Sequence, residues 1–496
     1  MPRTIHSESL AGSTGKTMSR GNLWVIRAAL AVVVIVALPA TAGLAQSLAP
    51  PDWNRLQAET LQHYQAVLRL DTSNPPGNER LVAEYLKAVF DKEGIPSQIL
   101  ALDTNRSNVV ARLKGNGRKR PLLLMGHTDV VTVDAAKWTH PPFSAAREGG
   151  YVYGRGTVDD KDNLTAALMT ILLLKRLNVP LDRDVIFLAE SGEEGTTSVG
   201  IQFMVNEHFA DLDAEYCLAE GGGVTRIKGD VAYATVQTLE KRSRGIELIS
   251  RGIAGHGSVP LKSNAIVHLA GAVARIGEWR PEIRLNETTR LYFAKLAELS
   301  PPETSRYYTD VLSADPRVRA AADEWLFENE PRHSSMLRTS VSPNIFTGGY
   351  RSNVIPSEAK ATLDVRMLPD EDPEKFLEQV RTVVNDPSLE VRFPAPFGRP
   401  PATELKLESE AFKMIEASIR RVYNTVTLPV MGTGATDMAF LRAKGVQCFG
   451  IGPATDIEDG PKGFGAHSDQ ERLLESELHR FVRFNWDIVT SLAKAQ

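Results

Sequence analysis

The sequence predicts an α/β protein: a domain with a mixed sheet between helices, interrupted by a smaller inserted α+β domain. Strand-like apolar runs alternate with helix-period segments between residues 52 and 227, which is the signature of layered α/β units. The pattern changes near Lys228 and the first domain resumes near Glu404. With 496 residues the chain exceeds what one core ordinarily supports. These observations divide it into residues 46–227 with 400–496 as one domain and 228–399 as the insertion.

Residues 52–70 and 79–93 carry helical periodicity on either side of a turn-rich loop, and residues 95–101 and 108–114 read as strands. Residues 122–126 form a short apolar run that empties into His127-Thr128-Asp129. The loop Gly154-Arg155-Gly156-Thr157-Val158-Asp159-Asp160-Lys161 leads into the apolar helix 164–177. Residues 185–189 are a second buried strand, followed by Glu190, Glu193 and Glu194, and residues 216–219 a third, followed by Glu220. Sites in open α/β sheets form outside the carboxyl ends of the strands.

In the insertion, residues 231–239, 245–251, 345–350, 361–367 and 390–393 read as strands and 265–279 and 373–385 as helices. A compact sheet with helices on one face fits a ferredoxin-like α+β unit. Residues 281–338 exceed what that pattern needs and read as a helical insertion. After Glu404 come a helix at 407–423, the turn Gly432-Thr433-Gly434-Ala435-Thr436-Asp437, a strand at 446–451 and a closing helix at 473–493.

The residue types at these strand ends suit a metal. A borderline divalent ion takes imidazole nitrogen and carboxylate oxygen. His127 supplies the nitrogen, and Asp159, Glu194 and Glu220 supply oxygens. Asp129 is placed to accept the other ring N–H of His127, while Glu193 stays free as a general base. So many carboxylates at one edge would repel one another unless cations held them, which argues for two ions. His467, in the glycine-rich segment Gly463-Phe464-Gly465-Ala466-His467-Ser468-Asp469, offers a further ligand. Isolated acidic loop residues ordinarily just meet solvent, but here they recur in order at consecutive strand ends.

The motifs Gly126-His127-Thr128-Asp129, Gly154 to Lys161, Glu193-Glu194, Ala219-Glu220-Gly221 and Ala466-His467-Ser468 resemble those of the dinuclear zinc peptidase and aminoacylase family. That family includes glutamate carboxypeptidase, succinyl-diaminopimelate desuccinylase, acetylornithine deacetylase and carboxypeptidase S. Trp138-Thr139-His140-Pro141-Pro142-Phe143 is similar to the carboxypeptidase S-like branch. The resemblance spans nearly all of the chain after its leader and implies a zinc-peptidase catalytic domain with a lid or dimerisation domain. It implies one ion on His127, Asp159 and Glu220, and another on Asp159, Glu194 and His467. Asp129 would back His127, Glu193 would be the base, and the Asp159–Asp160 bond would be cis. His256, in Ala254-Gly255-His256-Gly257-Ser258, would stabilise an oxyanion, in some relatives across a dimer interface. Asn353, Arg366 and Gly434 would contact substrate, Arg366 clamping a terminal carboxylate. Two positions depart from the pattern: Asp162 stands where the family has Gly, and Ala435 lacks the hydroxyl of the family's Thr.

Hydrophobic content of 42% and charged content of 24% are ordinary for a globular enzyme. A net charge of −4 carries no nucleic-acid or anionic-membrane footprint. Cys217 and Cys448 lie in apolar strands and read as buried free thiols, with a single bridge as the alternative in an oxidising compartment. His63, His140, His208, His268, His333 and His479 read as structural, without partners. Arg20 and Arg27 precede the apolar run 28–38 and a small-residue exit ending at Ala45, so residues 1–45 are expected to be a secretory signal peptide. The product would be secreted or periplasmic, and membrane-associated only if the leader stays uncleaved.

The expected activity is hydrolysis of the amide bond of small peptides, as a carboxypeptidase or dipeptidase, with two divalent ions. Zinc is expected first, with cobalt or manganese as alternatives. The alternative substrate is an N-acyl amino acid, as for an aminoacylase or deacetylase. A non-catalytic exported binding protein is the reading from another class. A homodimer is an expected partner state, and nucleic acid is not.

Overall fold

The computed structural model describes residues 51–394, 399–401, 403 and 405–495, so the expected signal peptide at 1–45 lies outside the described residues. Four parallel strands lie together at the centre of a ten-stranded mixed sheet, in the order Val185–Glu190, Leu122–His127, Tyr216–Ala219 and Gln447–Gly450. Arg106–Leu113 flanks them antiparallel. Leu122 lies opposite both Val185 and Tyr216, His127 opposite Glu190, and Ala219 opposite Gly450. The strand ends therefore lie flush, and whatever follows each strand emerges along one edge.

Continuous apolar runs form these strands because both sheet faces are covered. Leu123, Met125, Ile186, Leu188, Cys217 and Cys448 pack with Ile201–Glu207 and Met438–Ala443. Lys161–Arg176 is buried along almost its whole length. Each fully buried Leu in this core contributes on the order of 1.5–3 kcal/mol. Gly126 lets the start of that helix abut the strand: a Cβ there would lie 3.1 Å from Leu164 N and 3.1 Å from Asp160 Oδ2. Cys217 and Cys448 are in register on neighbouring strands, and both are buried and free, as expected.

A second, four-stranded antiparallel sheet has the order Ser340–Gly348, Glu358–Met367, Arg242–Arg251, Leu389–Arg392. With Ala265–Glu278 and Pro373–Val384 packed against it, this is the ferredoxin-like β-α-β-β-α-β arrangement. Pro373–Val384 starts where Asp372 accepts the N–H groups of Glu374 and Lys375, and it ends at Asn385 in the left-handed region (φ 43°).

Two placements correct the sequence reading. The strand expected at 231–239 does not open the small sheet. As Asp230–Glu240 it pairs with Gly223–Ile227 and Thr427–Gly432 in the large one, so the small sheet begins at Arg242. An alternating strand looks the same in either sheet, and only its partners decide. The stretch at 281–338 is helical as expected, in four helices from Glu287 to Met336. Its apolar side, including Tyr292, Phe293 and Leu326, packs on Leu428 and Val430 of the large sheet's strand Thr427–Gly432. Among the described residues no helix is long and apolar enough to cross a membrane.

Candidate metal centre and active site

The flush strand ends bring the expected ligands together. One ligand atom each from His127, Asp159 and Glu220 lies within 4.8 Å of the others, and the same holds for Asp159, Glu194 and His467. Asp159 belongs to both sets through different oxygens. Its Oδ1 is 3.0 Å from His127 Nε2, and its Oδ2 is 3.0 Å from His467 Nε2. His467 Nε2 is also 3.0 Å from Glu194 Oε1. His467 has a left-handed backbone (φ 61°), uncommon for a non-glycine residue. The Asp159–Asp160 bond is cis, as the motif implies.

Asp129 lies against His127 and has further partners. Its main-chain oxygen, 3.0 Å from His127 Nδ1, is the nearer partner of that ring, and its carboxylate Oδ1 is 3.6 Å away. The carboxylate also accepts the backbone N–H groups of Glu193 and Glu194 at 3.1 Å each and Asn74 Nδ2 at 2.8 Å. Asp129 therefore fixes the loop that carries both Glu193 and Glu194.

Charge crowding is severe without cations. Burial, then the nearby Asp437 charge, pushes the Glu193 carboxyl up to about 8. Burial, then the Glu193 charge, lifts Glu220 well above the usual range. Burial and the Asp159 charge raise Asp160 to about 7. Burial would raise Asp159 too, but His127 and His467 hold it below the usual range. Burial alone would lower His127, yet Asp129 and Asp159 carry it well above an ordinary imidazole. Two nitrogens and three carboxylates divided between two overlapping sets fit a pair of borderline divalent cations.

This crowding has a measurable consequence. A carboxyl whose folded pKa exceeds its unfolded value holds its proton more tightly when folded. The stability it contributes is complete below the unfolded pKa and is lost as pH rises through the folded one. The raised His127 has the same sign, and the lowered Asp159 titrates below this window. Melting of the metal-free protein is therefore expected to fall between about pH 5 and 8. Added zinc should raise the melting temperature by several degrees more at the upper end than at the lower. A zinc-induced shift that is equal at both ends of the window, measured by scanning calorimetry, would contradict the assignment.

Of the remaining expected residues, Arg366 lies on the small sheet, His256 and Asn353 lie at a separate two-stranded pairing, and Gly434 lies on a loop. His256 pairs in register with Val354, and Gly257 N donates to Asn353 O at 2.9 Å, so His256 and Asn353 share one exposed loop cluster. His256 Nδ1 lies 2.7 Å from Ser258 Oγ. Arg366 Nε donates to both oxygens of Asp364 at 3.0 and 3.1 Å. Gly434 lies in an exposed loop with open space where a Cβ would stand. Among the described residues no hydrogen bond or ion pair links these side chains to the ligand cluster.

Several functional neighbours escaped the sequence reading. Arg399 Nη2 donates to Glu193 Oε1 at 2.8 Å, and its Nη1 to Asp437 Oδ1 at 2.9 Å. Asp437 is buried and shares a hydrogen bond with the buried Glu190, so a chain of carboxyls runs on from that guanidinium. Asp437 follows the glycine-rich turn, a visible signal, whereas Arg399 lies in an aperiodic stretch that gives none. Asp162 is fully buried with neither oxygen hydrogen-bonded, and burial followed by the Asp160 charge pushes its carboxyl well above the usual range. Among the described residues, four of the other six histidines have close partners after all: His63 with Tyr85 (2.7 Å), His140 with Glu148 (3.0 Å), His268 with Asp386 (2.6 Å) and His333 with Tyr292 (2.9 Å).

Residues 123–490 match the model of Peptidase family M20/M25/M40. Probable carboxypeptidase S-like 2 of Dictyostelium discoideum is 29% identical over 436 residues, covering 83% of this chain and 79% of the relative. The human N-fatty-acyl-amino acid synthase/hydrolase PM20D1 is 29% identical over 381 residues, 75% of this chain and 74% of its own. A probable succinyl-diaminopimelate desuccinylase of Staphylococcus aureus is 30% identical over 333 residues, 66% and 72% respectively. Among solved structures, the M20 family metallo-carboxypeptidase Sso-CP2 from Sulfolobus solfataricus shares the fold with a TM-score of 0.67 at 21% identity. That match covers 88% of this chain and 99% of that one.

Proposed function

Because the chain belongs to peptidase family M20/M25/M40 and is a metal-dependent hydrolase of peptide or amide bonds, we propose that it cleaves small peptides bearing a free carboxylate, as a carboxypeptidase or dipeptidase. The carrying observation is Asp159, whose two oxygens each stand 3.0 Å from a different histidine. His127 and Glu220 would hold one divalent ion with Asp159, and Glu194 and His467 the other. Two imidazoles with carboxylates favour zinc, with cobalt or manganese able to substitute. When bound, such ions polarise a carbonyl and acidify a water.

Glu193 takes the proton from the attacking water and returns it to the leaving amine. Asp129 keeps Glu193 and Glu194 on one rigid loop, so base and ligand stay in fixed relation. His256 would stabilise the oxyanion and Asn353 and Arg366 the substrate, once the small sheet closes over the large one as a lid. Within residues 228–399, the small sheet and the two helices packed on it are taken as that lid and dimerisation domain. The exposed Ile345 and Phe346 on the edge strand Ser340–Gly348 support self-association there. Export rests on the leader's sequence pattern alone.

A second reading, an N-acyl amino acid amidohydrolase, is favoured by the relatives named as a desuccinylase and as an N-fatty-acyl-amino acid hydrolase. A panel of dipeptides, their C-terminal amides and N-acyl amino acids separates the two. Dipeptides are expected to turn over fastest. Amidating their carboxylate should lower kcat/KM roughly ten- to a hundredfold, the worth of a charge-assisted hydrogen bond. Preferential turnover of N-acyl amino acids would transfer the assignment to the second reading, and indifference to amidation would remove the carboxylate clamp.

A further inference from the structure

We propose that Arg399 is a positioning residue for Glu193, fixing which carboxylate oxygen of the base faces the reacting water. The proposal rests on the reading of Glu193 as the base. Arg399 lies on the connection that returns from the small sheet's strand Leu389–Arg392 to the large sheet. Its Nη2 donates to Glu193 Oε1 at 2.8 Å and also to the Glu193 main-chain oxygen at 3.2 Å. One guanidinium nitrogen thus grips the residue at both ends and restricts the torsions between them. Oε1 is engaged, which leaves Oε2 for proton transfer.

The guanidinium is itself held. Nη1 donates at 2.9 Å to Asp437 Oδ1, whose residue is 1% exposed, and Cζ stands 5.9 Å from the centre of the Phe440 ring. Glu193 is 9% exposed, so an uncompensated rotation of its carboxylate would move a charge inside a nearly closed space. A planar fork suits two acceptors at fixed spacing, and a lysine ammonium, being a point charge, does not reproduce it. Asp129 already fixes the backbone of Glu193 through its N–H group, and Arg399 supplies the missing constraint on the side chain.

The test compares Arg399→Met, Arg399→Lys and Glu193→Ala on one dipeptide, with zinc content measured for each. Arg399→Met is expected to lose about a hundredfold in kcat, the effect of misplacing a reacting group by about 1 Å. KM should stay within about threefold, zinc should be retained, and Arg399→Lys should recover little. Free guanidinium, kept well below denaturing concentrations, should restore part of the loss in Arg399→Met but not in Glu193→Ala. In crystals of the metal-free proteins, the Glu193 carboxylate should be displaced in Arg399→Met relative to wild type. If Arg399→Met folds poorly, Asp437→Asn takes the negative charge from the acceptor of Nη1, leaves Arg399 on Glu193, and should show a smaller drop of the same kind. Unchanged or raised kcat in Arg399→Met, with Glu193→Ala inactive, overturns the positioning role alone, whereas an active Glu193→Ala overturns the base reading beneath it.

Discussion

Asp159→Asn is expected to bind fewer than two divalent ions per chain and to lose at least about a hundredfold in turnover, since even supporting partners of metal ligands cost 10- to 100-fold. Asp159 is the one side chain common to both donor sets, with Oδ1 directed to His127 and Oδ2 to His467 at 3.0 Å each. An amide keeps the shape but presents an N–H₂ to one of the two positions, so one set loses its oxygen outright. It also removes a negative charge that both sets share. The competing description is an ion-pair network in which protonated His127 and His467 simply neutralise the carboxylates. In that case the substitution would lower stability and leave metal content unaltered. Elemental analysis beside turnover separates the two, and two tightly held ions in the variant would defeat the shared-ligand assignment.

Much of this centre was legible in the sequence because the strands that build it are buried on both faces. Residues 122–126, 185–189 and 216–219 are apolar without interruption, so the His and Glu residues that follow them stood out as departures needing a reason. Flush register then converts a sequential pattern into one spatial edge, as the pairing of His127 with Glu190 shows. What stayed hidden depended on partners that no local pattern encodes. Nothing in Val231 to Leu239 tells which sheet it joins. Thr427–Gly432 contains Pro429 and joins the sheet only along Asp230–Glu240, as suits a strand interrupted by proline. The second task of the Asp129 carboxylate could not be read from its spacing to His127, because the amides it accepts lie 64 and 65 residues further on. Arg399 comes from an aperiodic connection and gains meaning only from where that connection ends.

Glu193→Ala is expected to retain both ions and to lose about 10²–10⁴-fold in kcat, the range ordinarily supplied by one general acid–base group. The side chain removed lies in neither donor set, and its backbone N–H still donates to Asp129, so Glu194 keeps its place on the same loop. Arg399 keeps Asp437 as partner, so no cation is left buried and alone. Burial together with the Asp437 charge disfavours the ionised Glu193 carboxylate in the metal-free protein, so its loss should leave melting at about pH 8 unchanged or higher. That separates loss of chemistry from loss of fold. KM should change little, since the base acts on the water rather than on the bound substrate. The decisive measurement is kcat at saturating dipeptide with zinc content determined on the same sample. A value within about threefold of wild type would remove Glu193 from proton transfer. The buried carboxyls beside it, Glu190 and Asp437, would then be the groups to substitute next.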